Sequence, residues 1–139
     1  MPYLQLEVPN HYSIEVKRRL ARRMGELYAR IMETNPGRVR VAFRELPEGS
    51  LWHCSDQGEP RPGAVLSCDI RLGRPPEQRA ELAQALIDAC VEALELRSDL
   101  LVEFTQHSGD ELYRQGRGWA EDWTSKEAAE PRSRTAPEP

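Results

Sequence analysis

The chain predicts an α/β fold of the α+β kind: two βαβ units building one four-stranded sheet with two helices on one face. Three observations carry that prediction. Short runs alternate apolar and polar residues, as half-buried strands do. Two longer stretches repeat apolar residues at helical spacing. The order strand–helix–strand then occurs twice along 139 residues, a length suited to one domain.

Leu4, Leu6 and Val8 alternate with Gln5 and Glu7, which marks the first strand. Ser13 can cap the helix that follows. Leu20, Met24, Leu27 and Ile31, with Ala21 and Tyr28 beside them, form its apolar stripe. Asn35-Pro36-Gly37 is the expected stop. Val39, Val41 and Phe43 mark the second strand. Residues 47–63 read as a loop with a short strand around Leu51-Trp52-His53.

The order then repeats. Leu66, Cys68 and Ile70 mark a strand, and Gly73-Arg74-Pro75-Pro76 turns the chain into a helix, where proline suits the first turn. Leu82, Leu86, Ala89 and Ala93 line that helix, and Leu100, Val102 and Phe104 the last strand. Sliding residues 17–32 onto 79–94 superposes Leu20 on Leu82, Ala21 on Ala83, Met24 on Leu86 and Glu26 on Asp88. With one residue removed at the turn, Val41 meets Val102 and Phe43 meets Phe104.

The expected organisation is one domain over 1–123: a unit at 1–46, a linker at 47–63, a unit at 64–105 and a covering segment at 106–123 holding Tyr113, Trp119 and Trp123. Residues 124–139 have almost no large apolar side chains and read as a disordered tail. Two helices cover one sheet face only. Tyr3, Val65 and Leu101 leave apolar surface on the other, so an oligomer that buries it is expected.

Composition narrows the function. Net charge is −4 and mean hydropathy −0.68. No apolar run approaches the ~20 residues of a membrane span. The start, MPYLQLEVPNHYS, lacks the regions of a secretory signal. Three cysteines are too few and odd in number for a disulfide framework, so a cytoplasmic location is expected. Cys68 and Cys90 fall on apolar stripes as buried thiols, and no His/Cys spacing among His11, His53, Cys54 and His107 suits a metal. Lys17, Arg18, Arg19, Arg22, Arg23 and Arg30 give the first helix a basic, solvated face; the strands lack the aromatic pairs on which RNA-binding sheets stack bases. No nucleic-acid or membrane partner is expected.

Two features can carry chemistry. Removal of Met1 would leave Pro2 as a terminal secondary amine, able to carry protons if neutral near pH 7. Arg71 and Arg74, at a strand end and in the turn after it, can grip a carboxylate through their planar donor forks. If the units pack about a pseudo-twofold axis with their first strands adjacent and antiparallel, Pro2 and this pair become neighbours.

A Met-Pro start on a strand, two βαβ units and this arginine pair resemble the tautomerase superfamily, the family of 4-oxalocrotonate tautomerase. The chain is most similar to its fused-unit group around cis-3-chloroacrylic acid dehalogenase. Ile70-Arg71-Leu72-Gly73-Arg74 running into Arg79-Ala80-Glu81-Leu82-Ala83-Gln84 carries the resemblance, with Val102-Glu103-Phe104 and Tyr113-Arg114-Gln115-Gly116-Arg117 matching in position. It covers roughly residues 2–123.

The resemblance implies a homotrimer without metal or cofactor, Pro2 as proton carrier, and Arg71 and Arg74 as carboxylate binders. The chain departs from the dehalogenase pattern at three places. Tyr28 stands where that enzyme has a substrate-binding histidine, Glu103 where it has a tyrosine, and Arg114 where it has its water-activating glutamate. Tyr28 could donate to a substrate oxygen; Arg114 could add a carboxylate contact or pair with Glu103. The expected activity is keto–enol tautomerisation of a small 2-oxo or enol carboxylate. Hydration, dehalogenation or decarboxylation of a three-carbon unsaturated or oxo acid is the alternative chemistry. A ferredoxin-like ligand-binding module, which interleaves its strands, is the alternative outside enzymes.

Overall fold

A computed structural model of the chain describes residues 2–97 and 99–120. Trp123 and the expected tail at 124–139 lie outside the described residues. The elements run β1 (Tyr3–Val8), α1 (Ile14–Met32), β2 (Arg40–Glu45), β3 (Trp52–His53), β4 (Arg61–Pro62), β5 (Ala64–Arg71), α2 (Pro76–Leu94), β6 (Leu100–His107), β7 (Tyr113–Arg114) and β8 (Gly118–Trp119). The main sheet has the order β2-β1-β5-β6.

Both outer pairs are parallel, and β1 meets β5 antiparallel. Each unit thus keeps its own two strands side by side, which excludes the interleaved ferredoxin-like order. The duplication is visible in the register. A shift of 62 residues carries α1, Ile14–Met32, onto α2, Pro76–Leu94. The same shift carries the pair Leu4–Cys68 onto the pair Leu66–Leu6, so the junction is a pseudo-twofold axis. Tyr3 faces Arg40, whereas Val65 faces Leu101, one residue closer in sequence; this is the residue removed at the turn.

Alternation sorts the side chains. Leu4, Leu6, Val8, Leu66, Cys68 and Ile70 point under the helices and are buried against Leu20, Met24, Leu82 and Leu86. Fully burying a side chain of this size stabilises by about 1.5–3 kcal/mol. On the opposite face Tyr3 and Leu101 are exposed and Val65 is half-buried.

The expected helix stop is corrected. α1 ends at Met32, where Glu33 adopts a left-handed conformation (φ 54°) and its N–H reaches the Ala29 carbonyl. Asn35 instead caps the separate 3-10 turn Pro36–Arg38. α2 ends the same way at Glu95 (φ 51°). The linker holds a small hairpin, β3 with β4, pairing Trp52 with Pro62 and His53 with Arg61. Beyond β6 come the 3-10 turn Gly109–Glu111 and the hairpin β7–β8. Among the described residues no helix is long and apolar enough to cross a membrane.

Candidate active site

Pro2 is buried at the entry to the central strand β1. Its carbonyl accepts from the Arg40 N–H at 3.1 Å. Tyr3 faces Arg40 on one side and Asp69 on the other. Continuing that register by one residue sets Pro2 across from Ile70, next to Arg71. Adjacent strands lie about 4.8 Å apart, so Pro2 shares one end of the sheet with the end of β5.

Arg71 closes β5 opposite His107, and Arg74 follows in the turn through Gly73 (φ 104°). A turn of this kind ordinarily leaves arginines in solvent. Here Arg71 is 7% and Arg74 5% exposed. The Arg74 carbonyl accepts from Arg79 Nε at 3.1 Å, and the Arg79 guanidinium lies 5.9 Å from the Phe104 ring centre. Burial is the main force pulling the Arg74 pKa down, with the Arg71 charge acting the same way and Tyr28 opposing.

Tyr28 projects from α1 into the core and is 2% exposed. Burial pushes its hydroxyl up to about 12, against the pull of the Arg74 and Arg71 charges. The phenol is therefore a neutral O–H donor at physiological pH. Two buried guanidiniums thus lie within electrostatic reach of one buried hydroxyl.

The other two expected residues lie on other elements, β6 and β7. Glu103 lies on the exposed sheet face, where its carboxylate accepts from Ser67 Oγ at 3.2 Å. Arg114 sits on the β7–β8 hairpin and donates from Nη2 to the Trp119 carbonyl at 3.2 Å. Trp119 is exposed and meets Tyr113 edge-on at 5.0 Å.

The sequence reading missed Gly109. A Cβ there would lie 1.9 Å from the Ala120 carbonyl oxygen and 3.1 Å from Arg71 Nη2. The segment from Ser108 to Ala120 therefore closes directly over Arg71. Ser108-Gly109-Asp110-Glu111 fits the Ser-x-x-Glu capping pattern, the one available signal for this turn. Ser108 Oγ bonds the Asp110 carboxylate and donates toward Glu111 Oε1 at 2.9 Å.

The pseudo-twofold axis makes a second sheet end. The 62-residue shift sets Ala64 in place of Pro2, Pro9 in place of Arg71 and Tyr12 in place of Arg74. A cleft of about 410 Å3 lies there, lined by Pro9, His53, Arg61, Arg97 and Asp99 among others. It contains none of the expected site residues. Among the described residues no group of three or more His, Cys, Asp or Glu is placed to hold a metal.

No protein-family model and no curated protein matches the chain. Solved structures do. A structure of Pt0534 inactivated by 2-oxo-3-pentynoate is 25% identical over 88% of this chain and 98% of that one, with a TM-score of 0.71. N1, a member of the cis-3-chloroacrylic acid dehalogenase family, is 22% identical over 94% of each chain, with a TM-score of 0.75. The Q0 fused 4-OT, a symmetric trimer, is 18% identical over 86% of this chain and 95% of that one, with a TM-score of 0.72. By its duplicated units, its strand order and these likenesses, the chain has the fold of the tautomerase superfamily in its fused, two-unit form.

Proposed function

We propose that the chain is a tautomerase acting on a small 2-oxo or enol carboxylate. Pro2, with Met1 removed, is the catalytic residue. Its neutral amine takes the enol O–H proton and returns a proton to C3, as the oxygen electron pair forms the carbonyl and the carbon–carbon double bond becomes single. Arg71 and Arg74 hold the carboxylate, and Tyr28 donates to a substrate oxygen. Nearby cations disfavour a protonated amine and so keep Pro2 competent at neutral pH. Glu103 would reach a site only in a neighbouring protomer, and Arg114 shares a cleft with Arg40, whose N–H bonds the Pro2 carbonyl.

The observation that carries this reading is the near-complete burial of Arg71 and Arg74 beside Tyr28, at the sheet end where Pro2 enters. Such burial is costly for solvated charges and fits an enclosed anion site. The exposed face with Tyr3 and Leu101 supports a closed homotrimer.

Ketonisation of phenylenolpyruvate or 2-hydroxymuconate, followed optically, tests the assignment. Pro2→Ala lowers kcat by about 100-fold, the scale of a lost general acid–base. Arg71→Gln raises KM about tenfold, as expected for one lost charge-assisted contact. Equal rates for wild type and Pro2→Ala would sink the catalytic assignment. Release of carbon dioxide or halide from three-carbon acids, without isomer formation, would replace tautomerisation by the alternative chemistry.

A further inference from the structure

The pseudo-twofold axis lets the start of one helix serve as a control for the start of the other. At the first, Glu45 at the end of β2 accepts from the Tyr12 N–H at 2.6 Å and from Lys17 Nζ at 2.7 Å. Ser13 caps the same helix by accepting from the Val16 N–H at 3.2 Å. A carboxylate and a hydroxyl thus serve the positive end of α1. The 62-residue shift sets Arg74 in place of Tyr12, Pro75 in place of Ser13 and Arg79 in place of Lys17. β6 lies one residue closer in sequence, so Gln106 stands in place of Glu45: Val8 faces Glu45 as Ile70 faces Gln106.

The second end keeps the cation and lacks both acceptors. Pro75 makes no side-chain cap. Gln106 Oε1 is buried and takes no hydrogen bond among the described residues. Arg79, whose guanidinium lies 5.9 Å from the ring centre of Phe104, two residues before Gln106, sends its Nε to the Arg74 carbonyl instead, at 3.1 Å. A buried oxygen without a donor is destabilising, and a glutamate at this position could make the two bonds that Glu45 makes. Stability therefore does not account for the glutamine. What it changes is one negative charge, at the end of the sheet where Arg71 and Arg74 are buried.

We propose that Gln106 is a specificity-determining residue of that end, a reading that rests on the carboxylate binding proposed for Arg71 and Arg74. A neutral amide stands where the other half of the fold seats a carboxylate, and it leaves the cationic start of α2 to an anionic ligand. A glutamate there would be a built-in competitor. Its carboxylate would settle against Arg79 and the Arg74 backbone, as Glu45 does against Lys17 and Tyr12, and would repel the incoming acid. Gln106 touches no reacting atom; it sets the charge that the ligand meets.

The test compares Gln106→Glu with the uncharged Gln106→Met in the full chain at neutral pH. The readouts are Tm, the Kd of phenylpyruvate by calorimetry, and KM and kcat for phenylenolpyruvate. Gln106→Glu raises Tm by about 4 °C, the scale of one charge-assisted hydrogen bond in a domain of this size, and the rise is lost in an Arg79→Met background. It weakens phenylpyruvate binding about tenfold and raises KM by the same factor, while kcat stays within about twofold. Gln106→Met adds no charge and keeps Kd within about twofold. Equal phenylpyruvate binding by wild type and Gln106→Glu overturns the proposal; loss of turnover in Pro2→Ala would then leave the tautomerase reading standing. An equal loss of affinity in Gln106→Met also overturns it, because the effect is then one of packing. So does a lower Tm in Gln106→Glu, because the carboxylate then has no seat at α2. Binding that weakens in Gln106→Glu alone, in a chain whose wild type and Pro2→Ala turn over alike, keeps the proposal and removes the catalytic assignment.

Discussion

Gly109→Ala isolates the contact between the covering segment and Arg71. The added Cβ would sit 1.9 Å from the Ala120 carbonyl oxygen, where ordinary contacts begin at 3.4 Å. The two backbones must therefore part by about 1.5 Å, far beyond what a well-packed site absorbs without strain. The Ala120 N–H bonds, 3.1 Å to the Gly109 carbonyl and 3.0 Å to the Leu112 carbonyl, would stretch past useful range. Overpacking costs about 1–3 kcal/mol, and the shared hydrogen bond contributes about 1 kcal/mol more. Local opening of residues 108–120 should then rise about 30- to 1,000-fold. Amide exchange at Ala120 reads that population, and KM for the acid reads the effect on Arg71. Gly116→Ala is the control: its φ of 78° strains an alanine, but nothing lies within 4 Å of the new Cβ. It should cost about 1 kcal/mol and leave KM unchanged. Unaltered exchange at Ala120 together with unaltered KM in Gly109→Ala would refute the packing described for this segment.

Two predictions concern titration. The difference in tyrosinate absorbance between wild type and Tyr28→Phe should show a midpoint at about 12, because burial favours the neutral phenol. Its contribution to stability is complete below the ordinary value of 10.0 and is lost as pH rises through the folded value; a difference midpoint near 10 would mean that Tyr28 is solvated. Glu45 behaves oppositely. Lys17 Nζ at 2.7 Å is the chief cause of its lowered pKa, and the Tyr12 N–H at 2.6 Å adds to it against the effect of burial. The carboxylate's contribution is present above its ordinary value of 4.5 and fades as pH falls through the lowered one. Acid unfolding of Lys17→Met should lose much of that dependence, and an unchanged acid limb would count against the Lys17–Glu45 pairing.

The sheet was legible because its strands alternate cleanly. Leu4, Leu6 and Val8 against Gln5 and Glu7 can place only one face inward. The internal repeat was legible because both helices keep their apolar positions at the same offset. The end of α1 was not, because glutamate has little preference for the left-handed conformation that Glu33 adopts. The β3–β4 hairpin was half legible: Trp52 suggested a strand, whereas Arg61-Pro62 has neither alternation nor strand preference. The arginine pair could be named from its position at a strand end, but its burial could not. The cover over Arg71 comes from Gly109 and Ala120, which approach it from a distance in sequence that no local pattern encodes. Glu103 and Arg114 share their positions with the family pattern, yet Glu103 lies opposite Ser67, four residues back along β5 from Arg71, and Arg114 lies on the hairpin beyond β6, because a match along the chain does not fix the distance between residues in space.

The antiparallel joint between β1 and β5 has a consequence for synthesis. β1 ends at Val8 and its partner β5 begins at Ala64, whereas β1 finds β2 within its own unit. A nascent chain leaving the ribosome can therefore complete the first half while one flank of β1 still displays bare N–H and C=O groups. The second half, released later, must displace any stray strand that has settled on that flank. Because the halves repeat one pattern about a twofold axis, the first half of a sibling chain displays a flank of the same shape.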